Sequence, residues 1–111
     1  MRAILLLLCA CGGVQYTSNT SLGEACSDFG NAYCSKAVEC GYIPSINQSD
    51  CQLFIENRCC ETEGRCGARL SDPTGAADCV GTLPTALCSN IGTTTTAHIP
   101  AFCAAPFGQL F

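Results

Sequence analysis

The sequence predicts a small all-α, disulfide-rich fold: an antiparallel helical hairpin, one or two further short helices and about five disulfides. Three observations lead there. The 111 residues carry twelve cysteines, and an exported chain this short buries too little apolar surface to offset its conformational entropy without crosslinks. Apolar residues recur with a 3.6-residue period in three separate segments. A polar stretch, residues 89–96, collects β-branched residues but shows no alternation of faces, so it reads as a loop and not a strand.

The N-terminus runs Met1-Arg2, then apolar residues 3–8, then Cys9-Ala10-Cys11-Gly12-Gly13. One cation and about eight apolar residues are too few to span a hydrocarbon core that needs roughly twenty, so this is a segment to be removed. Leu8 at the third position before Cys11 and Ala10 just before it resemble a bacterial lipobox, which makes Cys11 the lipid-bearing first residue. Residues 1–10 are then a signal peptide and 11–21, poor in charge, a lipidated start and flexible tether. Residues 22–111 form one domain. Gly12, not being aspartate, implies by the sorting rule of Gram-negative lipoproteins a place in the outer membrane. The alternative is a soluble secreted protein cut after Gly13.

Within the domain, residues 22–40 form the first helix. Ala25, Cys26, Phe29, Tyr33, Ala37 and Cys40 fall within about 60° of one line at 100° per residue, with Glu24, Asp28, Asn31, Ser35 and Glu39 opposite. Gly41 caps its C-terminus and Pro44 prevents continuation. Cys34 lies at the flank. Ser49-Asp50-Cys51-Gln52 resembles a capping box that opens a second helix. On it Cys51, Phe54, Ile55 and Cys59 share one side while Leu53 and Cys60 point away, so it is expected to pack on two faces. Neighbouring helical residues diverge by about 100°, so Cys59 can bridge the first helix while Cys60 bridges elsewhere. Asp72-Pro73 reads as an N-cap and first helical position, and Ala76, Cys79, Val80, Leu83 and Leu87 continue as a stripe broken at Pro84. Residues 99–103 are expected to dock as a turn, and the apolar tail 106–111 to cover the core.

Cys26-x7-Cys34-x5-Cys40, then Cys51-x7-Cys59, Asp72-Pro73-Thr74 leading to Cys79-x8-Cys88, and Ile99-Pro100-Ala101-Phe102-Cys103 resemble the cysteine-rich lipoproteins of myxobacteria and related soil bacteria. The resemblance implies an exported, helical, disulfide-held domain and carries no assigned activity. Cys60 and Cys66 depart from that pattern, and an extra pair in one loop suggests that they bridge each other. For the rest, facing positions of an antiparallel helix pair have a constant sum of residue numbers. Cys40 with Cys51 sums to 91 and Cys34 with Cys59 to 93. That leaves Cys26 with Cys79 and Cys88 with Cys103, with Cys26–Cys66, at 92, as the competitor.

The composition narrows function chiefly by exclusion. Beyond the signal, Lys36, Arg58, Arg65 and Arg69 face nine acidic residues, so a nucleic-acid partner is not expected. His98 is the only imidazole, no hydrolase, zincin or phosphate-loop motif is present, and no C-x-x-C suggests a thiol oxidoreductase or a zinc site. Glu61 with Glu63, and Asp72 with Asp78, read as loop and helix-start charge. No enzyme activity, metal or cofactor is expected. The reading is an envelope-anchored structural or interaction module, its partner a protein or polysaccharide of the envelope or the exterior and the loop 89–98 its contact surface. The alternative is a helical carrier of an apolar ligand, although few large side chains are available to line a tunnel.

Overall fold

The computed structural model describes residues 14–62 and 64–108. The expected signal peptide, Cys11, Gly12, Glu63 and the tail 109–111 lie outside the described residues. Among the described residues four α-helices make the frame: α1 Leu22–Glu39, α2 Gln48–Glu56, α3 Pro73–Thr82 and α4 Ala101–Phe107. Among the described residues, extended pairing is limited to two isolated bridges, Ser21 with Arg69 and Gly92 with Ala97. No helix among them is long and apolar enough to cross a membrane. The fold is all-α and disulfide-rich, as the period and cysteine count predict.

Helix α1 buries Ala25, Cys26, Phe29, Tyr33 and Ala37, the expected stripe. The Ser21 hydroxyl accepts from the Glu24 amide at 3.1 Å, satisfying one of the orphan donors at the helix start. Gly41 at φ +78° ends it, a left-handed conformation that costs a residue with a Cβ. Lys36 is also buried. Its Nζ donates to the Pro84 carbonyl at 3.0 Å and lies 3.4 Å from Glu39 Oε2, tying α1 to the short 3-10 turn Leu83–Thr85.

The segment read as a tether enters the described region at Val14, and residues 14–21 run against the domain. The Tyr16 hydroxyl donates to Asp28 Oδ2 at 2.7 Å, and burial with that carboxylate drives the phenol well above its ordinary pKa. Leu22 and Gly23 donate to the carbonyls of Ala68 and Cys66.

Helix α2 departs from the expected start. A 3-10 turn, Ser45–Asn47, feeds into Gln48, so Ser49 sits inside the helix and no capping box forms. Gln52 instead donates across the hairpin to Asn31 Oδ1 at 2.9 Å. Leu53, expected to pack, is 65% exposed, because α1 covers only the Ile55 side. Beyond Glu56 the chain widens into a π-helical turn, Asn57–Glu61, closed by the Thr62 amide on the Asn57 carbonyl. Cys59 and Cys60 are both buried there and serve different bridges.

The ten domain cysteines form five disulfides: Cys26–Cys59, Cys34–Cys51, Cys40–Cys88, Cys60–Cys66 and Cys79–Cys103. Of the expected pairs only Cys60–Cys66 forms. Cys40–Cys51, Cys34–Cys59, Cys26–Cys79 and Cys88–Cys103 are not made, nor is the competitor Cys26–Cys66. The hairpin itself stands, but its register is shifted. Both hairpin bridges sum to 85, and Cys40, which caps α1 and does not continue it, turns to Cys88 instead.

Asp72 caps α3 as expected, accepting from the Gly75 amide at 3.0 Å with Pro73 at the first position. Asp72→Ala should cost about 1 kcal/mol in chemical denaturation, the usual loss for an N-cap. Ala76, Cys79, Val80 and Leu83 are buried. Leu87, expected on the same stripe, is 70% exposed, because Ala86 beyond Pro84 is extended and takes the chain off the helical line. The expected docking turn is helix α4. It bridges to α3 through Cys103 and stacks Phe107 on Phe29, ring centroids 4.7 Å apart.

Candidate functional site

A groove of about 570 Å³ lies between the hairpin and the loop 88–98. Tyr33, Ala37, Ile55 and Ile91 give it an apolar floor. Asp50 and Phe54 of α2 form one wall, and the four consecutive threonines 93–96 the opposite rim. The loop expected to be the contact surface is therefore one lip of the groove, and α2 is the other.

The loop is held by groups the sequence reading did not single out. Tyr33 is 4% exposed, and its hydroxyl lies 2.6 Å from the Ile91 carbonyl and 3.1 Å from that of His98. A phenol buried in this way keeps its proton, and its pKa is pushed up to about 12 by desolvation. Tyr42 acts similarly at the start of the loop, its hydroxyl 2.9 Å from the Gly92 carbonyl and 3.2 Å from that of Cys88. The Cys40–Cys88 disulfide adds a covalent anchor at that end. Two tyrosines and one bridge thus fasten a segment that has no regular secondary structure beyond the 3-10 turn Cys88–Asn90.

The rim shapes itself locally. The Thr93 hydroxyl accepts from the amides of Thr95 and Thr96 at 3.2 and 3.0 Å, and the Thr93 amide donates to the Thr96 carbonyl at 2.6 Å. Serine and threonine hydroxyls favour such turns. Gly92 makes the turn possible: its φ is +148°, and a Cβ there would lie 2.5 Å from the Thr96 oxygen. The side chains of Thr94, Thr95 and Thr96 are left exposed to solvent.

His98 is exposed, outside the groove lining, and joins the structure through its backbone, the amide donating to the Ile91 carbonyl at 3.1 Å. Of the paired carboxylates, Asp72 is occupied as a cap and Asp78 is exposed. Among the described residues no three His, Cys, Asp or Glu side chains gather to hold a metal ion. All ten described cysteines are in disulfides, which places the folded domain in an oxidising compartment. No family model, curated protein or solved structure matches the chain.

Proposed function

We propose that the chain is an exported lipoprotein, held at the outer membrane through an acylated Cys11, whose stapled domain binds a protein or polysaccharide of the envelope or the exterior. The observation that supports this is the groove. An apolar floor under a hydroxyl-lined rim offers both burial and orientation to a partner, and the tyrosine and disulfide anchors hold the rim in place before the partner arrives, which lowers the entropic cost of binding. A carrier of a free apolar ligand is a poorer fit, because Phe29, Ile55, Leu83 and Ile91 fill the space between the helices.

Thr95→Arg tests the reading. Thr95 is exposed and its hydroxyl lies 3.4 Å from that of Thr93, so an arginine blocks the rim without entering the core. Crosslinking in the native envelope should yield a partner with the wild-type protein and lose it with Thr95→Arg at unchanged protease resistance. A crosslinked partner retained by the variant would remove the groove from the reading, and lipid co-purifying in mass spectrometry would move it to the carrier. For the anchor, Cys11→Ser should release the protein from membranes or block its processing, since stable anchoring needs more than one acyl chain. Unchanged fractionation would exclude lipidation.

A further inference from the structure

The described residues before α1 are bound to the domain. The Thr20 carbonyl accepts from the Leu70 amide at 3.1 Å, and Ser21 pairs with Arg69 in an isolated bridge. Thr17 and Thr20 close a turn, the Thr20 amide donating to the Thr17 carbonyl at 3.1 Å and the Thr17 amide to the Thr20 hydroxyl at 3.0 Å. Tyr16 is clasped to Asp28. Val14 packs against the core where it lines the cleft between α1 and α3 with Ala32, Val80 and Pro84. Only Gly12 and Gly13 stand between Val14 and Cys11, and three residue steps reach at most about 10 Å.

On α1, Asp28, Ala32, Ser35 and Glu39 line that cleft and lie within about 60° of one another at 100° per residue, while Tyr33 and Ala37, which floor the groove, are centred about 150° away. The cleft and the groove are therefore on opposite sides of α1. We infer that an acylated Cys11 holds the domain with this outer face of α1 toward the phospholipid surface and the threonine rim turned away from it, an orientation that rests on the lipidation proposed above. To bring the groove onto the bilayer, a link of about 10 Å would have to pass half round a domain that is 25 Å across at its thinnest. The short link sets the orientation, and adhesion does not. The face carries Asp28, Ser35 and Glu39 in place of an apolar patch, and the lysine that lines it, Lys36, is buried and committed to the Pro84 carbonyl. Such a face has nothing to insert among acyl chains and offers headgroup phosphate no exposed cation. The groove's partner then approaches from the aqueous side, and a lipid of the anchoring leaflet is out of its reach.

The chain has no tryptophan, so single tryptophans can report proximity to lipid. The acylated chain, purified from membranes, is placed in phosphatidylcholine vesicles in which a fraction of the lipid carries a nitroxide on its headgroup. Ser35→Trp should lose most of its emission and Thr95→Trp should keep it. Gly81→Trp is a second reporter on the Ser35 side, since Gly81 lines the cleft, is exposed and has open space where a Cβ would lie. Near-UV circular dichroism and a mass corresponding to oxidised cysteines confirm the fold of each variant. Inserting about ten Gly and Ser residues between Gly13 and Val14 gives the link a root-mean-square length of about 20 Å, and the two sides should then be quenched alike. With Cys11→Ser neither side should be quenched. Equal quenching of the two sides at the native link length, or an asymmetry that survives the insertion, overturns the inference and leaves lipidation standing. Quenching of Ser35→Trp in the Cys11→Ser chain also overturns it, because the face would then adhere to lipid by itself. A mass showing Cys11 without acyl chains would remove the lipidation reading, and this orientation with it.

Discussion

Replacing Cys40 and Cys88 together by alanine should cost the domain about 3–4 kcal/mol, more than the loss of any other bridge. The bridge closes the longest loop, 48 residues apart, against 33, 24, 17 and 6 for the others, and the entropy a crosslink removes from the unfolded chain grows with that length. For C60A/C66A the same relation gives about 2 kcal/mol. In a domain of this size the first change should lower the melting temperature by roughly 15–30 °C under oxidising conditions. It should also free one end of the rim, so that proteolysis at residues 93–96 accelerates before global unfolding. If C60A/C66A proved as destabilising as C40A/C88A, loop length would not be what ranks the bridges.

The connectivity also shows where sequence reasoning reaches and where it stops. Helix α1 is legible because its signals are local: a 3.6-period stripe, Gly41 at the end, and Ser21 three residues before Glu24 at the start. The Asp72-Pro73 start of α3 is legible for the same reason. The hairpin register was also accessible. Cys26 and Cys34 are eight residues apart and so are Cys51 and Cys59, so two bridges of one sum satisfy both helices at once. The sums 91 and 93 come from treating Cys40 as a hairpin position, although Gly41 and Pro44 already end the helix there and free Cys40 to turn away. The pairs Cys40–Cys88 and Cys79–Cys103 lay beyond such reasoning. They depend on where residues 83–100 lead, and that segment has no period to extrapolate.

The groove was half legible. Residues 89–98 announce a polar loop, but nothing local says what lies beneath it. A usable signal sat on α1, where the buried stripe carries Tyr33 in place of another Phe29. A phenol on a core face needs a partner for its hydroxyl, and a loop without regular structure has carbonyls to offer. The chemistry of Tyr33 thus points to a buried loop contact, while its identity, 58 residues away, is set by the tertiary fold.

That contact makes Tyr33→Phe the most informative change of a single residue. The ring and its packing stay, but the Ile91 carbonyl keeps only the His98 amide and the exposed His98 carbonyl turns to solvent, so the change should cost the net worth of one hydrogen bond, about 0.5–1.5 kcal/mol. The loss should appear in chemical denaturation, and the threonine rim should exchange its amides faster than α1 does. The wild-type protein should carry a matching alkaline signature. Tyr33 titrates near 10 when unfolded and is pushed up to about 12 when folded, so between those values the folded state holds a proton that the unfolded state has released. Stability from this group is complete below pH 10 and falls as pH rises toward 12, by at most about 1.4 kcal/mol per unit. Tyr16 is raised as well, so the readout is the difference between wild type and Tyr33→Phe, taken by rapid pH jump before alkali attacks the disulfides. The variant should lose less stability than wild type over that interval. Equal slopes in the two proteins would mean that the Tyr33 hydroxyl is not held in its neutral form, and the rim would then owe its position to Tyr42 and the Cys40–Cys88 bridge.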